Sequence, residues 1–175
     1  MPIRSELLLF GLLLLGLHAT GQADDFQAKS VTNTGRLRFP AAVDRVFLMF
    51  TPIGEKAWAE GWNPHIVYPR DGEIAEGMVF TTEDHGGAFW VNTQYDPAQH
   101  AVSYANFAPG VLINRIQIRC RALGANETEV AVTYTHTGLS EHGNQFVEHM
   151  DAAAFAKKMQ YWQEAIGRAL GGTPK

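Results

Sequence analysis

Only one cysteine occurs in the chain, Cys120. An intrachain disulfide is therefore excluded, and the fold must stand on its core alone. Charge is sparse too: 18% of the residues are charged against 46% that are hydrophobic, a balance that excludes disorder and fits a packed globule. The net charge is -4, with acids and bases interspersed, so the basic stripe that nucleic-acid binding requires is missing. The nearest thing to one is Arg115, Arg119 and Arg121, which alternate along one predicted strand and read as a solvated face. Also missing are internal repeats, a Pro/Gly/Ser-rich linker, an HExxH pair, a cysteine cluster and a GxSxG elbow. The histidines, His85, His100, His136, His142 and His149 among them, are spread over different elements. Glu148, His149 and Asp151 lie close in sequence on the predicted last helix, but neighbouring helical positions point in different directions. No metal site and no cofactor is expected.

Long hydrophobic runs are lacking as well. Leu7 to Leu17 is apolar, but it is about half the ~20 residues that a membrane-spanning helix needs. Arg4 precedes it, and small and polar residues ending in Gly21-Gln22-Ala23 follow. This is the layout of a secretory signal peptide. Cleavage is expected after Ala23, leaving residues 24–175 as a single domain, exported to the periplasm or secreted, with no membrane span after cleavage. Retention of the segment as an anchor is the alternative.

Turning to what is present, Gln27 to Phe39 reads as a strand stopped by Pro40, which suits the first position of a helix. Val43, Val46, Phe47 and Phe50 follow at helical spacing, predicting an amphipathic helix over 41–50. A turn at Thr51-Pro52-Ile53-Gly54 leads to a second short helix over 55–60. The texture then changes. Strands are predicted over 66–68, 77–82, 87–95, 101–107, 112–123 and 128–137, with turn chemistry at Asp96-Pro97-Ala98-Gln99 and Gly124-Ala125-Asn126. Last comes a long helix whose Phe155, Met159, Trp162, Ile166 and Leu170 form one apolar stripe, ended by Gly171-Gly172 and Pro174. Helices on one face of an antiparallel sheet make an α+β layer fold.

The run Arg38-Phe39-Pro40-Ala41-Ala42-Val43-Asp44-Arg45-Val46-Phe47, with Thr51-Pro52 and the tryptophans Trp58 and Trp62, resembles the opening of START-like proteins. These form the superfamily of Bet v 1, the polyketide cyclases and the Hsp90-activator homology domain. The element order over 27–170 is similar to theirs across nearly all of the mature chain. The resemblance implies a helix-grip fold: a bent antiparallel sheet wrapped around the long C-terminal helix, two short helices after the first strand, and a ligand cavity between sheet and helix. It implies no chemistry by itself, because fold does not fix function.

Strand parity yields a cavity lining, since alternate residues share a face. On one strand Leu112, Ile116, Ile118, Cys120 and Ala122 share parity with Asn114; on the next, Val130, Val132 and Tyr134 share it with His136. In the strand before, Val102, Tyr104 and Asn106 are the favoured inward set. Cys120 then points inward, where a free thiol behaves as a small apolar residue. Asn114, Tyr134 and His136 gather with Trp58, Trp62 or Trp90 on a concave apolar surface, the composition of a ligand site. The same polar groups also fit a filled core in which they satisfy one another. Trp62 and Tyr68 either cap the pocket mouth or pack their loop onto the sheet.

The expected function is binding or carriage of a small hydrophobic or amphipathic ligand, with no nucleic-acid partner. The alternative is a cofactor-free cyclase, dehydratase or isomerase using the same cavity, with His136 as general base and Tyr104 or Tyr134 donating to an oxyanion. A third reading is a protein-interaction module, which an exposed apolar patch outside the cavity favours.

Overall fold

The computed structural model describes residues 26–82 and 88–171; the expected signal segment lies outside them. Seven strands form one antiparallel sheet in the order β1-β7-β6-β5-β4-β3-β2. They are β1 (Ser30–Phe39), β2 (Pro64–Tyr68), β3 (Val79–Thr82), β4 (Ala88–Asp96), β5 (Ala101–Ala108), β6 (Leu112–Gly124) and β7 (Glu127–Gly138). The first strand pairs with the last, Ser30 opposite Thr137 through Phe39 opposite Thr128. The remaining pairs are hairpin neighbours, so the sheet is a meander closed at one end by its own N-terminal strand. Register breaks between Ile66 and Tyr68 and between Asn92 and Gln94 add local twist, which bends the sheet.

Three helices lie on the concave side: α1 (Val43–Leu48), α2 (Glu141–Glu148) and α3 (Ala152–Gly171). The helix predicted over 41–50 is shorter than its apolar spacing suggested. The one predicted over 55–60 is a single 3-10 turn, Gly54–Ala57, which Gly61 follows with φ 71°. The predicted last helix is also divided. Ser140 caps α2 by accepting from Gly143 N–H at 3.1 Å, and Asp151 caps α3 by accepting from Ala154 N–H at 2.8 Å. Glu148 therefore ends α2 and His149 caps it, with Asp151 just ahead of α3, so the three do not share a helix.

The core fills the space between the sheet and α3. Val102, Ile116, Ile118, Cys120, Val130 and Val132 come from the strands, Phe155, Met159, Trp162, Ile166 and Leu170 from the helix. The helical stripe read from the sequence is thus the buried one. Ala122 is an exception to the strand parity: it is exposed, beside the register break at the β6–β7 turn. Gly35 lets α3 cross β1 closely, since a Cβ there would come within 2.8 Å of Met159 Cγ. Gly143 plays the same part for α2, where a Cβ would overlap the Val111 carbonyl oxygen. Gln163 of α3 bonds both the N–H and the carbonyl of Arg38, covering part of the β1 edge that would otherwise invite pairing with another chain.

Candidate functional site

Beneath α3 the core is left unfilled towards one end, where a cavity of about 430 Å³ opens. The β strands supply its floor. Ile116 and Ile118 alternate on β6, with Asn114 two residues before them; Tyr134 and His136 do the same on β7, and Tyr104 and Asn106 on β5. All eight residues singled out from the sequence, Trp58, Trp62, Trp90, Tyr104, Asn106, Asn114, Tyr134 and His136, line this one cavity. Tyr68 does not: it is 61% exposed on the outermost strand.

The walls are aromatic. Trp58 meets Trp162 edge-on at 5.3 Å, and Trp62 meets Trp90 edge-on at the same separation. Phe80 stacks on Trp90 at 5.7 Å. None of the three predicted tryptophans offers its ring N–H to the interior. Trp58 donates to Met49 O, Trp62 to Pro52 O and Trp90 to Thr82 Oγ1. Tyr104 likewise spends its hydroxyl proton on Phe50 O at 2.9 Å. It is therefore not free to donate to an oxyanion, and of the two tyrosines only Tyr134 keeps that capacity. Its hydroxyl is pushed up from the ordinary phenol range by burial first and by Glu55 second.

The polar floor is a relay. Asn114 donates Nδ2–H to Asn106 Oδ1 at 2.9 Å, which leaves Asn114 Oδ1 to accept from His136 Nδ1 at 2.6 Å. Neutral His136 is thereby fixed as the Nδ1–H tautomer, with Nε2 as a lone-pair acceptor. Burial, aided by the nearby Lys158 charge, lowers its pKa to about 4. Tyr134 stacks on the same imidazole at 5.5 Å. Asn106, Asn114 and His136 thus bond to one another and also border an open cavity.

Four ionisable residues of the cavity, Glu55, Glu60, Lys158 and Tyr161, escaped the sequence reading, and two of them lie inside it with shifted pKa values. Glu55, on the 3-10 turn, lines it without a hydrogen bond or ion pair among the described residues. Burial raises its pKa well above the ordinary carboxylate range. Lys158, on α3, places Nζ 4.3 Å from the centre of the Tyr134 ring, a cation–π contact. Burial lowers its pKa. The cavity thus combines a carboxyl that burial shifts towards its acid form, an imidazole that is neutral above about pH 4, and a lysine.

Elsewhere Cys120 is buried with its thiol pushed up to about 12, which makes it unreactive. Of the other histidines, His100 Nε2 lies 2.7 Å from Asp44, His149 bonds Gln145 O and His142 packs edge-on against Phe146. On the convex face Arg36, Arg38 and Arg121 converge on the nearly buried Glu129, whose pKa is lowered chiefly by the Arg121 hydrogen bond. Farther along that face Phe89 and Phe107 pair across β4 and β5 at 51% and 40% exposure, beside Val91.

A bent antiparallel sheet gripping a C-terminal helix over an internal cavity is the Bet v 1-like, helix-grip fold of START-like proteins. Solved structures similar to this chain share that fold. Norcoclaurine synthase from Thalictrum flavum, in complex with dopamine and hydroxybenzaldehyde, matches with a TM-score of 0.58 at 12% identity, over 98% of this chain and 100% of that one. Ara h 8.0201 matches at 0.56 and 14% identity, over 82% and 100%. The Zhui aromatase/cyclase from a Streptomyces species matches at 0.56 and 15% identity, over 82% and 94%. No family profile and no curated protein matches the sequence.

Proposed function

We propose that the protein binds a small, flat, largely aromatic ligand in the cavity beneath α3. The observation that carries this reading is the division of labour in the lining. The ring N–H groups of Trp58, Trp62 and Trp90 are consumed by the protein, so these walls present carbon faces, while His136 Nε2, Glu55 and Lys158 have no hydrogen bond or ion pair among the described residues. Apolar walls with a few placed polar groups are how small-molecule sites are built. The structural neighbours named above include a synthase bound to two small aromatic molecules and a cyclase, which supports the ligand class. A tryptophan-fluorescence titration with naphthol and naphthalene tests the reading. In an Asn114→Leu/His136→Phe protein, naphthol should weaken by roughly 1–3 kcal/mol while naphthalene binding survives. Loss of both, or of neither, contradicts it.

Carriage outside the cytoplasm is part of the proposal, supported by the apolar run from Leu7 to Leu17 behind Arg4. N-terminal sequencing of protein from the extracytoplasmic fraction should begin near Asp24. Intact chain from Met1 in the cytosol refutes export.

A second reading, acid–base catalysis on the bound ligand, is favoured by Glu55: burial in an aromatic cavity raises its carboxyl pKa, which suits a proton donor. His136 Nε2 is its complementary acceptor. Under this reading His136→Gln keeps ligand affinity and abolishes turnover.

A further inference from the structure

Lys158 is an anomaly for a cavity that holds an apolar ligand. It sits next to Lys157, which is exposed as a helix-surface lysine should be, yet Lys158 turns inward and lines both the main cavity and a smaller one beside it. The ion pairs of the described residues join Lys29 to Glu148, three arginines to Glu129, and His100 to Asp44. None reaches Lys158. Among the described residues its one close electrostatic partner is the Tyr134 ring, far weaker than a carboxylate.

Among the described residues, the groups facing Lys158 do not supply an anion. Glu55, Tyr104, Tyr134, His136 and, at the mouth, Glu60 and Tyr161 border the same cavity. Burial holds Glu55 towards its neutral acid and both Tyr104 and Tyr134 towards their neutral phenols. His136 is neutral above about pH 4. Glu60 is exposed and makes no ion pair with Lys158. A buried cation without a counter-ion is costly unless something else brings the opposite charge.

We propose that the ligand brings it: Lys158 receives a single carboxylate, so the ligand class is a flat aromatic acid. Its carboxylate lies against Lys158 Nζ and its rings lie among Trp58, Trp62, Trp90 and Trp162. Asn106, Asn114 and His136 then meet a hydroxyl or carbonyl elsewhere on the rings. This assignment rests on the cavity being a ligand site at all. Burial lowers the lysine pKa, and a carboxylate bound against Nζ opposes that shift.

Naphthoate and naphthamide, nearly equal in shape and differing in charge, separate this inference from the broader reading. By calorimetry at pH 7 the wild-type protein should bind naphthoate roughly tenfold tighter than naphthamide. The preference should vanish in Lys158→Met and persist in Lys157→Met, whose side chain is outside the site. Should Lys158→Met not fold, an NMR titration of the Lys158 Nζ resonance in the wild-type protein decides: naphthoate raises its midpoint and naphthamide does not. Equal binding of the two probes, or a preference that survives Lys158→Met, overturns the assignment of the carboxylate and leaves the aromatic cavity standing. Failure of both probes to bind overturns the two together.

Discussion

His136 donates its Nδ1–H to Asn114 Oδ1 at 2.6 Å, and the direction of that bond is set by the next one, from Asn114 Nδ2 to Asn106. Three strands thus cooperate to orient one imidazole. Because its Nε2 is left as an acceptor in a cavity, the protein carries a buried base that protonates reluctantly.

The consequence is an acid limb in stability. A histidine whose folded pKa is about 4 against 6.5 unfolded binds its proton more readily in the unfolded chain. Stability should be complete above pH 6.5 and fall by up to about 3 kcal/mol between pH 6.5 and 4. Urea unfolding across this range measures it, and His136→Gln should flatten the slope.

Glu55 acts in the opposite sense. Its folded pKa lies above the ordinary 4.5, so its contribution is intact below that value and is lost as pH rises through the folded one. Glu55→Gln, close in shape to the neutral acid, should raise stability at pH 8 and leave it unchanged at pH 4. A gain of equal size at both values contradicts a buried, neutral carboxyl.

Asn92, on β4, is fully buried and neither polar atom of its side chain has a partner among the described residues. Leu is close to it in volume. Asn92→Leu should therefore stabilise the protein by roughly 1–3 kcal/mol, read as a higher urea midpoint. A lower midpoint shows that the amide is bridged.

Trp162 joins the helix stripe to the cavity wall, packing against Trp58, Phe50 and Tyr134. Trp162→Ala should cost roughly 3–5 kcal/mol in chemical denaturation. A melting point within a degree or two of wild type contradicts the packing.

Much of this was legible in the chain because strand parity is a rigid rule. Tyr104 with Asn106, Asn114 with Ile116, and Tyr134 with His136 each lie two residues apart on a two-sided ribbon, so a buried neighbour decides both. The helix stripe was legible for the same kind of reason. Glu55 and Lys158 were not, because a charged residue on a helix or turn reads as solvent-facing, and Lys157 and Lys158 are indistinguishable as letters. The break between α2 and α3 had a signal, Asp151 as a cap, but the apolar stripe begins only at Phe155 and leaves the start of that helix unmarked. The 3-10 turn at 54–57 had none beyond Gly54 and Gly61.

Blocking the cavity from its floor tests the central claim most directly. Leu112→Trp and Ile116→Trp each direct an indole into the space those side chains line. Titrated with naphthoate, the wild-type protein should show saturable binding at one site per chain, and both variants, folded by circular dichroism, should lose it. Binding of unchanged affinity in both folded variants would contradict the cavity as the ligand site.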